Sequence, residues 1–184
     1  MATPIPVRER TRHDIVQQAL RLFADKGYQA TSLQDIATAT GCSKAAVLYH
    51  FPGKAAVFAA AIEPAVQRLA SLVAELRGLP APDRPAAAIR RLVDMAVSSR
   101  EILIVLTELL PVLHDFPELA DLTREGMQLP QLLGNGADPD GEALSLFALG
   151  GLNAFCHHAR SLDDETMRRV LETALHRLLL PPPA

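Results

Sequence analysis

The sequence contains no tryptophan, and aromatic residues make up only 4% of its 184 residues. Its two cysteines, Cys42 and Cys156, are too few for a small protein stapled by disulfides. No uninterrupted apolar run approaches the ~20 residues that a membrane-spanning helix needs. The start of the chain lacks the apolar core of a signal peptide. We therefore expect a cytoplasmic protein that neither spans a membrane nor depends on disulfides.

Hydrophobic residues make up 49% of the chain, with alanine and leucine prominent among them, and both are strong helix formers. This balance predicts an all-α fold. The net charge of −3 argues against a nucleic-acid partner, but the charge is unevenly distributed. Residues 1–54 carry seven basic and four acidic side chains, whereas the rest of the chain carries eleven basic and seventeen acidic ones. Only the N-terminal part has the sign that attracts phosphate.

The N-terminal part reads as three short helices. Apolar residues at helical spacing predict a first helix over residues 10–26, and Gly27 ends it. Thr31 and Gln34 fit a capping box that begins a second helix, which Gly41 ends within about ten residues. Ser43 caps a third helix that runs to about residue 50. The second and third helices, joined by a tight glycine turn, have the spacing of a helix-turn-helix.

The rest of the chain continues the helical pattern. A fourth helix begins near Lys54, and Pro64 within it predicts either a kink or a break into two helices. Residues 78–85 read as a loop, and residues 134–139 as a second one. Between and after these loops we expect helices over 86–99, 101–113, 117–133, 140–160 and 164–180. The sequence thus predicts about nine helices in total.

The last two helices carry broad apolar stripes, and Gly150 and Gly151 would let another helix approach closely. Paired with their copies in a second subunit, these helices could form a four-helix dimer interface. The alternative is that both stripes pack within the subunit's own core. The residues predicted at the interface are Leu144, Phe147, Gly151, Phe155, Val170, Leu171, Ala174 and Leu178.

The segment from Thr31 to Ala37 and the segment from Gly41 to Lys54 (GCSKAAVLYHFPGK) together resemble the DNA-binding module of TetR-family (tetracycline-repressor-like) regulators. The upstream run from Ala19 to Tyr28 is similar to the first helix of that family. The resemblance covers about residues 10–58. The remaining two-thirds of the chain resembles the family only in length and helical character.

The resemblance implies a homodimer whose two recognition helices, here residues 43–50, enter successive major grooves of a palindromic double-stranded operator about 34 Å apart. One difference from the family is that Leu48 stands where a tyrosine is usual and Tyr49 follows it, a rotation of ~100° on a helix. The implied DNA contacts are Thr31, Ser32, Ser43, Lys44, Ala45, Ala46, Tyr49, His50 and Lys54. Among them, Lys44, Ala45 and Ala46 would face base edges, and Tyr49, His50 and Lys54 would reach phosphates.

The resulting hypothesis is a transcription regulator, a repressor that a small-molecule effector releases from DNA. Residues 1–54 would form the DNA-binding domain, and residues 55–184 the effector-binding and dimerisation domain. The effector would shift the fourth helix, with Pro64 as its point of flexure. We expect an apolar pocket for a hydrophobic molecule, lined by residues that would serve equally well as core: Met95, Leu106, Leu109, Phe116, Met127 and Phe147.

Two other classes of protein remain as alternatives. One is a helical adaptor that binds only protein and has lost DNA binding. The other is a helical enzyme with a metal or cofactor, which we consider less favoured because the sequence has no phosphate loop and no nucleophile elbow. Cys156, His157 and His158 are consecutive, so on a helix their side chains point ~100° apart and cannot readily close on one ion. We therefore expect no metal, no cofactor and no catalytic residues.

Overall fold

The computed structural model describes residues 6–109, 124, 126–134 and 140–180, without the side chains of residues 106–109. Within these ranges the chain is all-helical, as the sequence predicts. A single 3-10 turn, Ala81–Asp83, precedes the fifth helix. The helices are α1 (Val7–Lys26), α2 (Leu33–Thr40), α3 (Lys44–His50), α4 (Lys54–Gly78), α5 (Arg84–Ser98), α6 (Arg100–Leu109), α7 (Leu129–Leu133), α8 (Gly141–His158) and α9 (Asp164–Leu179).

The first two helices differ from the sequence prediction at their starts. Helix α1 begins at Val7, three residues before the expected start, so it includes Arg8. Helix α2 begins one position later than the expected capping box implies. Its N-cap is Ser32, whose hydroxyl accepts from the Asp35 backbone while the Asp35 carboxylate accepts from the Ser32 backbone. The prediction that Thr31 and Gln34 form the capping box was therefore wrong by one residue.

Helix α4 is continuous through Pro64, so the chain does not break into two helices there. It is also long and apolar enough to cross a membrane by length and composition, the one such helix among the described residues. Packing within the subunit explains why this helix is so apolar, because nine of its residues are buried there. Its exposed charged side chains are Glu63, directly before Pro64, and Arg68, Glu75 and Arg77 after it.

The described side chains form two hydrophobic cores, and α4 contributes to both. The first core joins α1, α2, α3 and the part of α4 up to Ala65, and α6 closes it with Ile102, Ile104 and Val105. The second core starts at Leu69 and joins the rest of α4 to α5, α7, α8 and α9. Helix α4 thus passes from one core to the other between Ala65 and Leu69, beyond the boundary expected at residue 54, and α6 returns the chain to the first core.

The C-terminal helices pack around α5 and α8. Helix α9 lies along α5, and α8 contacts α6, α7 and α9. The expected loop at residues 78–85 is shorter in the structure, because α4 continues to Gly78 and α5 begins at Arg84. Pro85 stands in the first turn of α5, where proline is tolerated because that N–H needs no helical partner.

A polar link joins the turn between α8 and α9 to the N-terminal helices. The Arg160 guanidinium donates to the Ala24 carbonyl of α1 at 2.8 Å. The Arg100 guanidinium, on α6, donates to the Leu162 carbonyl at 2.8 Å and pairs with Asp164 at 3.1 Å. Three elements distant in sequence are thus tied together beside the contact of α1 with α6.

An aromatic cluster at the centre of the first core gives a test of this architecture. Phe58 lies 5.8 Å from the Phe23 ring and 5.3 Å from the Tyr28 ring, and it is fully buried. We expect Phe58→Ala to lower the free energy of unfolding by about 3–5 kcal/mol, because it leaves a cavity. Urea unfolding followed by circular dichroism measures the change. Leu146→Ala, at an exposed position on α8, serves as the control and should change the free energy of unfolding very little. If both variants lost the same free energy of unfolding, the assignment of Phe58 to the core would be contradicted.

Candidate nucleic-acid interface

The turn between α2 and α3 fixes the angle of the two helices. Gly41 ends α2 with φ at 71°, a left-handed conformation that strongly favours glycine. The next amide, that of Cys42, donates to the Ala37 carbonyl at 3.0 Å, which closes the end of α2. Ser43 then caps α3, its hydroxyl accepting from the Ala46 amide at 3.1 Å. The predicted role of Ser43 as a cap is confirmed.

Helix α3 is held by one buried side chain and presents the rest of its surface outward. Val47 is fully buried against Ile36 and Ala37 of α2 in the first core. The side chains of Ser43, Lys44, Ala45, Leu48 and Tyr49 are exposed, and those of Ala46 and His50 are half-buried. The helix is therefore a protruding rod with small residues and one lysine at its N-terminal end.

The C-terminal end of α3 carries aromatic side chains that face the start of α1. Tyr49 is 69% exposed, and the Arg8 guanidinium lies 5.4 Å from its ring centroid. Phe51 is buried directly after α3, with the Arg12 guanidinium 4.9 Å from its ring. Arg8 and Arg12 are one helical turn apart on α1, so both point to the same side as α3.

Neither arginine was predicted from the sequence: the predicted start of α1 at Arg10 left out Arg8, and Arg12, within the predicted helix, was given no role. A signal for them was present in the spacing of Arg8 and Arg12, four residues apart, in a segment with few acidic residues. Arg8 lies in the first turn of α1, where a basic side chain is poorly placed for the helix dipole, and a nearby anion would offset this cost. The start of α1 and the exposed side of α3 thus form one basic surface.

Two residues at the start of α2, expected to contact phosphate, are instead committed to internal hydrogen bonds. Thr31 is buried, and its hydroxyl donates toward the Gly27 carbonyl at 2.9 Å and the Leu22 carbonyl at 3.3 Å. The Ser32 hydroxyl and amide both bond to the Asp35 carboxylate, at 2.6 and 2.8 Å. The hydrogen bonds from Ser32 lower the pKa of Asp35, so a carboxylate stands at this position.

Lys54, expected to reach a phosphate, is also bound inside the subunit. Its ammonium donates to the Tyr28 and Thr31 carbonyls at 2.8 and 2.9 Å, and to that of Gln29 at 3.3 Å. It also lies 4.4 Å from the centroid of the Tyr28 ring. Burial lowers the pKa of Lys54. All three ammonium protons are used, and Lys54 fastens the α1–α2 turn to the start of α4.

The residues expected to line an apolar pocket are not brought together by the described part of the chain. Met95 is half-buried on α5 and borders a groove. Met127 and Phe147 are about 70% exposed, so in this subunit neither lines an enclosed cavity, which corrects the sequence prediction for them. Phe116 and the side chains of Leu106 and Leu109 lie outside the described residues.

The residues expected at a dimer interface divide into two groups. Leu144, Phe147 and Gly151 on α8, and Val170 and Ala174 on α9, are exposed apolar or small residues. Phe155 and Leu178 are half-buried and pack against the second core. Leu171 is buried in that core, where α9 lies against α5, so its assignment to an intersubunit surface was wrong. The apolar stripe on α9 therefore consists of a buried face and an exposed face.

The cysteine and histidines near the end of α8 do not converge. Cys156 is fully buried in the second core, and burial raises the pKa of its thiol to about 11. The thiol therefore stays protonated at neutral pH, the form that does not bind metal. No group of three or more acidic, cysteine or histidine side chains that could hold a metal ion occurs within residues 6–109, 124, 126–134 and 140–180.

The internal position of Lys54 gives a second test. We expect Lys54→Met to lower the free energy of unfolding by about 1–3 kcal/mol, because three carbonyls lose a charged donor. Lys44→Met, at an exposed position one helix earlier, is the matched control and should change stability by less than about 0.5 kcal/mol. Urea unfolding of both variants measures the difference. If Lys54→Met proved as stable as the control, the carbonyl contacts would not fasten the turn.

The N-terminal helices are similar to a known family of proteins. Residues 15–61 match the family described as bacterial regulatory proteins, tetR family. A 49-residue segment is 45% identical to the HTH-type transcriptional regulator YerO of Bacillus subtilis, and a 44-residue segment is 41% identical to IcaR, a negative regulator of the icaADBC biofilm operon of Staphylococcus aureus. These matches span 27% and 24% of this chain, but only 17% and 24% of the relatives' own lengths.

The fold extends the similarity over the whole chain. The ketosteroid transcriptional regulator KstR2 of Mycobacterium tuberculosis superposes with a TM-score of 0.75, covering 98% of this chain and 99% of that one, at 14% identity. At that identity the likeness concerns the fold alone. Residues 15–61 are thus similar to the tetR family of bacterial regulatory proteins, and the chain has the all-helical fold of the solved regulator.

Proposed function

We propose that the chain is a DNA-binding transcription regulator. The observation that carries the proposal is the outward-facing α3, held by Val47 alone, within a segment that matches the tetR family. A rod of this kind suits the major groove of B-DNA, which admits an α-helix. Because the ligand is chromosomal DNA, the protein would act in the cytoplasm.

The base contacts would come from the N-terminal end of α3. Lys44 is exposed, carries a full charge and can reach a guanine edge. Ala45 and Ala46 are small, so the groove floor can approach closely, and their methyl groups suit contact with a thymine methyl. Ser43 keeps its hydroxyl proton for donation, since the cap uses the oxygen only as an acceptor.

The phosphate contacts would come from Tyr49, His50 and the two arginines of α1. Arg8 stands beside the exposed Tyr49, so guanidinium and phenol can bond to neighbouring phosphates. Arg12 supplies a second charge one helical turn later. In this proposal the arginines replace Thr31, Ser32 and Lys54, whose polar groups already have partners inside the subunit.

A homodimer would present two such surfaces to a palindromic operator. The exposed side of α8 and α9, with Phe147, Leu144 and Val170, is the apolar surface available for pairing. Gly150 and Gly151 meet nothing within 4 Å of a built Cβ atom, so a second helix has room to approach. Helices paired in this way form a four-helix interface.

The mode of action we favour is that of a repressor, which a small molecule releases from DNA. The regulator IcaR, which is 41% identical to this chain over 44 residues, is named a negative transcriptional regulator. An effector bound among the later helices could act through α4, since that helix belongs to both cores. It can shift the equilibrium only by its different affinity for the two conformations.

DNA binding can be tested on duplexes selected from a random library by the purified protein. We expect Lys44→Ala to weaken binding and relax base preference at one position of the site. Arg8→Ala should weaken binding to all sequences and reduce the slope of log affinity against log salt by about one phosphate. Fluorescence anisotropy of labelled duplex over a range of salt concentrations measures both effects.

Two further variants serve as controls in that experiment. Lys54→Ala should leave the salt slope unchanged at temperatures where it is folded, because its ammonium is engaged inside the subunit. Arg90→Ala, on the exposed side of α5, should bind DNA as the unaltered protein does. If the chain showed no salt-dependent affinity for duplex DNA, the proposal would fail and a protein-binding adaptor would be favoured.

The dimer surface can be tested by two substitutions on neighbouring helices. Phe147→Glu places a charge on the exposed apolar side of α8, and we expect it to give a monomer in analytical ultracentrifugation. Leu171→Ala should lower the free energy of unfolding by about 2–5 kcal/mol through a cavity, yet remain dimeric when folded. A Phe147→Glu variant that stayed dimeric would show that the subunits pair through another surface.

A further inference from the structure

A groove of about 510 Å³ lies between α4 and α5, beside Pro64. This volume is within the range of about 300–1,000 Å³ that is usual for small-molecule sites. Its lining includes the apolar side chains of Leu72 and Met95, and most of the other lining residues are polar or charged, with Arg68 and Ser98 among them. The groove therefore differs from the apolar pocket that the sequence predicts, and among the expected pocket residues with described side chains only Met95 borders it.

The charged side chains that line the groove differ in whether they have an ion-pair partner. Arg91 pairs with Glu75 at 2.8 Å, and Asp94 pairs with Arg168 of α9. Arg68 has only neutral partners among the described residues: its Nη1 donates to the Ser98 hydroxyl at 2.8 Å and its Nε to the Pro64 carbonyl at 3.3 Å. Among the residues that the structure describes, the Arg68 guanidinium thus has no carboxylate partner.

We propose that this groove binds a small-molecule carboxylate with an apolar body, held by Arg68. A guanidinium bonds a carboxylate through two parallel N–H groups, a stronger interaction than the bond to a neutral hydroxyl. The apolar body would lie on Leu72 and Met95. Gln67 and Ser71, one helical turn apart on α4, supply further polar groups along the wall.

The position of the groove gives the ligand a means to act on DNA binding. The hydrogen bond from Arg68 to Ser98 ties α4 to α5 directly after Pro64, where α4 passes from the first core to the second. A bidentate carboxylate competes with Ser98 for Nη1, so binding releases this tie. The inference rests on the proposed function in this respect, but the binding site itself can be tested without DNA.

Octanoate is the probe, and the methionine methyl groups report its location. The chain has four methionines, and of the three that the structure describes, Met95 lines the groove. With ¹³C-methyl labelling, octanoate should shift the Met95 resonance, while the resonance of Met167, buried in the second core, should stay in place. Octan-1-ol, which has no charge, should bind at least tenfold more weakly. A Met95 signal that does not move would overturn the proposal.

Three variants assign the binding to Arg68. Arg68→Gln should reduce octanoate affinity to that of octan-1-ol, and Arg68→Lys should give an intermediate affinity because it keeps the charge without the planar pair of donors. Arg90→Gln, exposed on α5 outside the groove, is the matched control and should bind octanoate normally. Equal octanoate affinity in Arg68→Gln and Arg90→Gln would refute the assignment.

The same preparations separate this inference from the proposed function. Duplex affinity is measured without octanoate, and its loss in Lys44→Ala bears only on the DNA surface. When octanoate is added, duplex affinity should fall in the unaltered protein and in Arg90→Gln, but not in Arg68→Gln. Octanoate that occupies the groove without changing duplex affinity would contradict its role as an effector site.

Discussion

The shared use of α4 by two hydrophobic cores is the constraint on which the rest of this structure depends. Up to Ala65 the helix is part of the N-terminal core, and from Leu69 it is part of the second. Because an α-helix is stiff over this length, a displacement of one half is transmitted to the other. Pro64 lies where α4 passes from the first core to the second, and it removes one helical hydrogen bond without ending the helix.

The local order of the N-terminal helices could be predicted from the sequence because it is set by short-range chemistry. Gly41 takes the left-handed conformation that ends α2, and Ser43 caps α3 as expected. Val47 gives α3 its single buried contact. The capping box was misplaced by one residue because Thr31 and Ser32 are both good N-caps, and only the burial of Thr31 against α1 decides between them.

The parts of the site that could not be predicted depend on contacts between distant segments. Lys54 reads as an exposed charge at a helix start, yet its long side chain reaches carbonyls 23–26 residues earlier in the chain. Leu171 reads as part of one apolar stripe, but packing against α5 divides that stripe into a buried and an exposed face. Arg8 was missed because helix ends are the least determined part of a sequence pattern.

The two cores are also joined away from α4, and this limits how the N-terminal unit can move. Side chains of α6 complete the first core, and Arg160 holds the Ala24 carbonyl of α1 from the turn between α8 and α9. A pivot at Pro64 alone would break these contacts, since α1 is fixed at its far end. A rotation of the N-terminal helices about Pro64 would therefore have to carry α6 and the turn after α8 with it, or break these contacts. Because α8 carries the proposed dimer surface, its pairing and the position of α3 are mechanically coupled.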